Sequence, residues 1–198
     1  MPERLTYGVR TRAAVDSKPE ALPTGRRSQM NGIRIATLVA AVVGTGLVAG
    51  LFYAFAIAVM PALRQTDDRV VLDVMQRINV VIINPWFLIA FLGTIGFTGL
   101  AAVLHLGQEY RAVLLWIAIG LALNVFAFIV TIALNVPLNN MLDAAGDVNS
   151  IADAAGLRND YESPWVRWNV LRAVLHTAAF TVLCGALFVA GIRHAEHG

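Results

Sequence analysis

The sequence predicts an all-α fold: a four-transmembrane-helix antiparallel bundle with an additional amphipathic outer helix. Three observations predict it. Four apolar runs, about Ile35 to Met60, Pro85 to Leu104, about Ala112 to Val136 and about Trp168 to Ile192, each reach the roughly 20 residues that a bilayer core requires. Only 14% of residues are charged and 58% are hydrophobic, with mean hydropathy +0.66, whereas a soluble domain is about 25% charged. Between the first two runs the apolar residues change from continuous to helically spaced, which marks a helix that lies on a surface instead of crossing.

Residues 1–33 read as a disordered basic arm, 34–193 as the membrane domain and 194–198 as a short tail. The arm holds Pro2, Pro19 and Pro23 and lacks the apolar stretch of a secretory signal. Met30, just before the first span, is a second candidate start. Arg4, Arg10, Arg12, Lys18, Arg26, Arg27 and Arg34 outnumber Glu3, Asp16 and Glu20, whereas the loop at 137–167 is rich in Asp and Glu. By the positive-inside rule both termini are cytoplasmic, in a bacterial plasma membrane, with the two larger loops outside.

Within the first span Gly46 and Gly50 form a small-xxx-small pair that admits a close helix neighbour, here expected as a homo-oligomer face. Met60-Pro61 is expected to end that span. In "TDDRVVLDVMQRIN", Thr66 is the expected cap of a helix near 67–83, with Val70, Val71, Val74, Met75 and Ile78 as its apolar stripe. Asn84-Pro85 and Ser163-Pro164 both read as a cap followed by proline at the first helical position, starting the second and fourth spans. Pro137 is expected to stop the third span, and a polar loop with one short helix to follow.

Several function classes are excluded or left without support. A single cysteine, Cys184, allows no disulfide framework or CxxC site and reads as a small buried hydrophobe. A net charge of +2 gives no reason to expect nucleic acid. No phosphate loop, dinucleotide fingerprint, nucleophile elbow or metal-ligand cluster is apparent, so no cofactor and no metal are expected. His194 and His197 have metal-compatible spacing but read as a solvated tail.

The chemistry-bearing residues gather at one end. Trp165, Asn169, Arg172 and His176 recur at steps of four, three and four, one helical face. Gln76 and Asn79 share a face of the amphipathic helix, Asn84 opens the second span, Asn135 closes the third and Asn139 follows it. Each has a structural explanation as well. Trp165 and Trp168 suit an interfacial belt, the asparagines suit caps, Arg172 can snorkel and His176 can be a bonded core residue. Their convergence is what points to a site.

"AGLFYAFAIAVMPALR", "MQRINVVIINPWF", "NVPLNNML" and "WVRWNVLRAVLHTAAF" together resemble the anthrone oxygenase-like (noranthrone monooxygenase-like) family of small four-helix membrane proteins, over about residues 36–190. The resemblance implies oxidation of an anthrone methylene to the quinone during polyketide synthesis, without flavin, haem or metal. It carries over the pattern of Gln76, Asn79, Asn84, Pro85, Asn135, Pro137, Asn139, Trp168, Asn169 and Arg172, but no catalytic assignment.

Two functions therefore stand side by side. In the first, a cofactor-independent oxygenase, His176 takes a proton, Arg172 and Asn169 hold the developing oxyanion, and Gln76, Asn79, Asn84, Asn135, Asn139, Trp165 and Trp168 bind a flat aromatic substrate. In the second, a non-catalytic membrane protein, the same cluster fastens the helices or binds a lipid, a quinone or a partner protein.

Overall fold

The computed structural model describes residues 24–197. The arm at 1–23 and Gly198 lie outside the described residues, as do the side chains of His194 and His197. The elements run in the order α1 (Thr24–Ala54), a π turn (Phe55–Val59), α2 (Met60–Leu63), α3 (Asp68–Val81), α4 (Pro85–Leu104), α5 (Arg111–Val130), a second π turn (Thr131–Asn135), α6 (Val136–Ala144) and α7 (Ala154–His197). Short 3₁₀ turns at Gln108–Tyr110 and Val148–Ser150 complete the chain, and no strand occurs among the described residues. Four segments are long and apolar enough to cross a membrane: Ser28–Leu63, Pro85–Leu104, Gln108–Ala144 and Ala154–Arg193.

Contacts at the two ends make these spans antiparallel. Near one end Arg34 Nε donates to Leu104 O (2.7 Å), Arg34 Nη1 donates to the Tyr110 hydroxyl (2.8 Å) and Arg193 Nη1 donates to Glu109 O (2.7 Å). At the other end, which carries α3, Asn169 reaches Phe52, Asn135 reaches Trp165 and Arg158 reaches Arg64. The helices close a ring in which α1 lies against α4 and α7, and α5 lies against the same two. Leu38, Ile117 and Leu183 fill its centre towards the Arg34 end. Met60, Leu72, Met75, Leu142, Tyr161 and Trp165 fill the α3 end.

The chain departs from its sequence expectations mainly at its prolines. Pro61 and Pro137 do not end their helices. Each follows a π turn by two residues, Met60 N bonding Phe55 O and Val136 N bonding Thr131 O, five residues back in each case. A proline has no N–H and its ring clashes with the carbonyl four residues earlier. The widened turn just ahead of it takes up that misfit, so the helix continues to Leu63 or Ala144. Pro164 is not a helix start either. It lies inside α7, which begins at Ala154, and Ser163 serves as an acceptor for Arg167 and not as a cap. The connection expected from 137 to 160 shrinks accordingly to 145–153.

Smaller differences follow the same logic. The first helix begins at Thr24, so the segment 24–33 assigned to the arm is helical, and α7 runs into the expected tail. Asp67 precedes α3 with extended backbone, and Thr66 turns its hydroxyl back to Leu63 O (2.7 Å). Asn84 does cap α4, accepting from Phe87 N (3.1 Å). On α3 the buried stripe is Val71, Leu72, Met75 and Asn79, while Val70 is exposed. A partly buried ion-pair set fixes the α7 entry, with Arg158 bonding Glu162 (2.7 Å) and Asp68 (2.9 Å).

The glycines test the packing. A Cβ on Gly46 would lie 2.9 Å from the Phe180 ring of the same chain, while Gly50 opens onto free space, so the two do not form one free face. A Cβ on Gly120 would lie 2.8 Å from Leu183, which is fully buried. Gly120→Ala is therefore expected to destabilise by ~1–3 kcal/mol through overpacking, whereas Gly50→Ala gains roughly 0.5–1 kcal/mol of helix propensity. Thermal unfolding in detergent checks both. Equal midpoints would contradict the tight α5–α7 seam.

Candidate functional site

Sequence spacing puts Tyr161, Trp165, Asn169, Arg172 and His176 on one face of α7, and all five are buried. The continuation of α7 through Pro164 matters here, since it brings Tyr161 onto the same stripe one turn before Trp165. The stripe faces both π turns and the ends of α1 and α5 beside them.

Arg172 is the most costly member. It is only 5% exposed and pairs with no carboxylate among the described residues. Its Nη2 donates to Asn169 Oδ1 (3.2 Å), its Nη1 to Thr131 Oγ1 (3.4 Å), and its Nε has no partner among the described residues. The guanidinium plane lies over Phe52, 4.2 Å from the ring centroid, with Trp165 at 5.7 Å. Asn169 is held for its role because its Nδ2 donates to Phe52 O (3.0 Å). A cation–π contact contributes about 0.5–2 kcal/mol, and burying an ion costs several kcal/mol. Two long bonds to neutral groups and a ring do not offset that cost. The cation therefore keeps unmet hydrogen-bonding capacity at Nε.

His176, one turn deeper, is fully buried against Phe52 (5.5 Å between centroids) and Phe91 (6.5 Å). Its Nδ1 meets Asn124 Oδ1 at 3.0 Å. Asn124 Nδ2 donates to Thr45 Oγ1 and to Thr94 O, both at 3.2 Å. A carbonyl can only accept, so the amide orientation is fixed and Nδ1 of His176 must carry the hydrogen. The lone pair of the neutral ring is then on Nε2, which has no partner among the described residues. This one network takes a residue from each of the four spans.

The remaining residues divide into two groups. Asn135 donates to Trp165 O (3.3 Å), and Trp165 Nε1 donates to Asn139 Oδ1 (2.9 Å), so all three join the Arg172 region. Asn79 is buried on α3 with its Nδ2 unpartnered. Gln76, expected among the substrate-binding residues, instead donates to Leu142 O and Gly146 O (both 2.9 Å) and lines a surface cleft of about 560 Å³ with Asp73, Arg77 and Asp143. Asn84 is occupied by its capping bonds. Trp168 is half-buried, off the stripe of Trp165 and Asn169.

Sequence reasoning missed Asn124, Thr131, Tyr161 and Phe52. For Asn124 the signal was present, a lone amide in the middle of an apolar span. At the Arg34 end it also missed His105, whose Nδ1 meets Ala101 O at 2.7 Å beside Tyr110. Burial, opposed by that bond and assisted by the Arg34 charge, holds the His105 imidazole below its ordinary value. Among the described residues five buried side-chain atoms lack a partner: Asn79 Nδ2, Asn135 Oδ1, Tyr161 Oη, Arg172 Nε and His176 Nε2. Not one of them is at the Arg34 end.

Asn124→Ala removes the acceptor of His176 and the donor of Thr45 and Thr94. It is expected to cost ~2 kcal/mol, the sum of a small cavity and bonds worth about 0.6 kcal/mol each within a membrane. Asn124→Asp keeps the acceptor towards His176. Unfolding midpoints that do not move for Asn124→Ala would rule out the four-span network.

Residues 86–182, just under half of the chain, match the family model described as Anthrone oxygenase. No curated protein and no solved structure matches the chain. The matched segment runs from α4 into α7 and contains Asn124, Thr131, Asn135, Asn139, Tyr161, Trp165, Asn169, Arg172 and His176, while Phe52, Thr45 and Asn79 precede it.

Proposed function

We propose that this chain, which belongs to the anthrone oxygenase-like family, oxidises the methylene of a flat anthrone-type ketone to a quinone with dioxygen. One observation carries the reading: a buried guanidinium with an unpartnered Nε lies one turn from a buried imidazole with an unpartnered Nε2. The methylene of an anthrone is acidified by the ketone across its central ring. His176 Nε2 removes one proton, and the electron pair spreads onto the ketone oxygen, where Arg172 N–H donors and Asn169 stabilise it. Trp165 supplies an aromatic contact for a flat polycycle.

The enolate then gives one electron to dioxygen, and the two radicals join at the former methylene carbon. His176 returns its proton to form the hydroperoxide. Loss of the second C–H proton to His176 forms the new C=O as the O–O bond breaks. The departing hydroxide takes that proton and leaves as water. The carbon loses two hydrogens and gains one oxygen atom, and dioxygen accepts all four electrons.

The fastening alternative accounts for His176 Nδ1, which ties α7 to Asn124, but offers nothing for the free Nε2 or for Arg172 Nε. Variants separate the two. Arg172→Lys keeps the charge and loses the planar fork, and is expected to slow turnover about 100-fold. His176→Asn retains a donor near the Nδ1 position and lacks Nε2, and is expected to cost 10²–10⁴-fold, roughly the worth of a general base. Oxygen uptake by the purified chain with anthrone measures both. Wild-type rates in the two variants would discard the mechanism.

The same reading places the chain in the plasma membrane with both termini cytoplasmic and the α3 end outside, following the basic excess before Arg34. An impermeant thiol reagent is expected to label Asn149→Cys in intact cells, and Gln108→Cys only after permeabilisation. The opposite pattern would invert the topology.

A further inference from the structure

We propose that Tyr161 and Asn135 form a second polar subsite beside Trp165 that takes a hydroxyl group carried on the ligand's ring. Both side chains are almost fully buried, Tyr161 at 0% and Asn135 at 1% exposed, yet Tyr161 Oη and Asn135 Oδ1 have no partner among the described residues. They converge on one residue. Asn135 Nδ2 donates to Trp165 O, which fixes the amide and leaves its oxygen as the free atom. The Tyr161 ring lies 6.3 Å from that of Trp165. Trp165 is itself held, because its Nε1 is committed to Asn139 Oδ1, and its ring also lies under the Arg172 guanidinium. Trp165 is thus the residue that meets the Arg172 guanidinium and both members of this pair.

The chemistry of the pair selects its ligand. A phenol O–H donates and an amide C=O only accepts. A hydroxyl, which donates and accepts, answers both, whereas a carboxylate or phosphate would be repelled by the amide oxygen and pay for its own burial. A phenylalanine at 161 would pack the same ring in the same apolar cluster and leave no buried polar atom unpaired. The inference rests on the oxygenase reading only for the shape of the ligand, a flat polycycle lying against Trp165; a ring hydroxyl is what the subsite adds.

The test uses the full chain in lipid nanodiscs and two stable quinones, unsubstituted anthraquinone and a ring-hydroxylated anthraquinone, whose binding needs no turnover. Wild-type protein is expected to bind the hydroxylated compound roughly tenfold more tightly, about one buried hydrogen bond. Tyr161→Phe and Asn135→Ala are each expected to bring that ratio close to one. The ligand-free Tyr161→Phe protein is expected to unfold at the wild-type temperature or above, since no hydrogen bond is lost. An unchanged ratio in either variant, no preference in wild type, or a lowered unfolding temperature in ligand-free Tyr161→Phe would each overturn the subsite. Oxygen uptake with anthrone is recorded in parallel. Uptake without a hydroxyl preference leaves the oxygenase reading standing and removes the subsite, while a preference without uptake does the reverse.

Discussion

A guanidinium held inside an apolar bundle must find acceptors that are not carboxylates, and the α3 end of this protein is arranged around that requirement. Arg172 is met by an amide from its own helix, a threonine hydroxyl from the second π turn and the face of Phe52. Each is neutral, so the positive charge is solvated but not cancelled. An aspartate in the same place would complete an ion pair and remove the oxyanion stabilisation that the proposed reaction asks of Arg172. The surrounding residues inherit their positions from this demand. Asn169 is anchored on Phe52 O, and the Phe52 ring in turn meets both the cation and the His176 imidazole.

The two prolines make that arrangement reachable. A regular helix through Pro61 or Pro137 would carry a steric clash one turn earlier, and a helix stopped there would leave its terminal carbonyls open in the membrane. Widening one turn avoids both and shifts the facing of every residue beyond it. Both π turns meet α7 along the stretch that holds Trp165, Asn169 and Arg172. Thr131, the first residue of one of them, is the residue that Arg172 touches.

What the sequence made legible follows from the range of each signal. Spans and the amphipathic α3 are carried by runs of side-chain polarity, and their existence is local information. The stripe of Trp165, Asn169, Arg172 and His176 was equally local, being a spacing on one helix. Proline was read as punctuation because its missing N–H is local too, whereas the compensating π turn depends on what packs outside it. That is why Pro164 seemed a beginning, and why Tyr161, hidden in the assumed loop, escaped notice. Gln76 and Asn135 share a residue class but differ in outcome. Gln76 satisfies nearby carbonyls of the loop at 142–146, while Asn135 is turned inward by Trp165 O. Only the tertiary fold distinguishes them.

Fastening and chemistry need not compete for His176, because an imidazole has two nitrogens with separate roles. Nδ1 is tied to Asn124, whose own hydrogens bind α1 and α4, so the ring orientation is set by all four spans together. That bond also forces the hydrogen onto Nδ1 and puts the lone pair of the neutral ring on Nε2. In the proposed reaction this fixes the base in tautomer and direction before any substrate arrives, the preorganisation that proton abstraction from carbon demands. The family match begins at α4, yet Thr45 and Phe52 on α1 complete both the His176 network and the Arg172 cradle. The site is therefore a property of the closed ring of helices, and no single matched segment contains it.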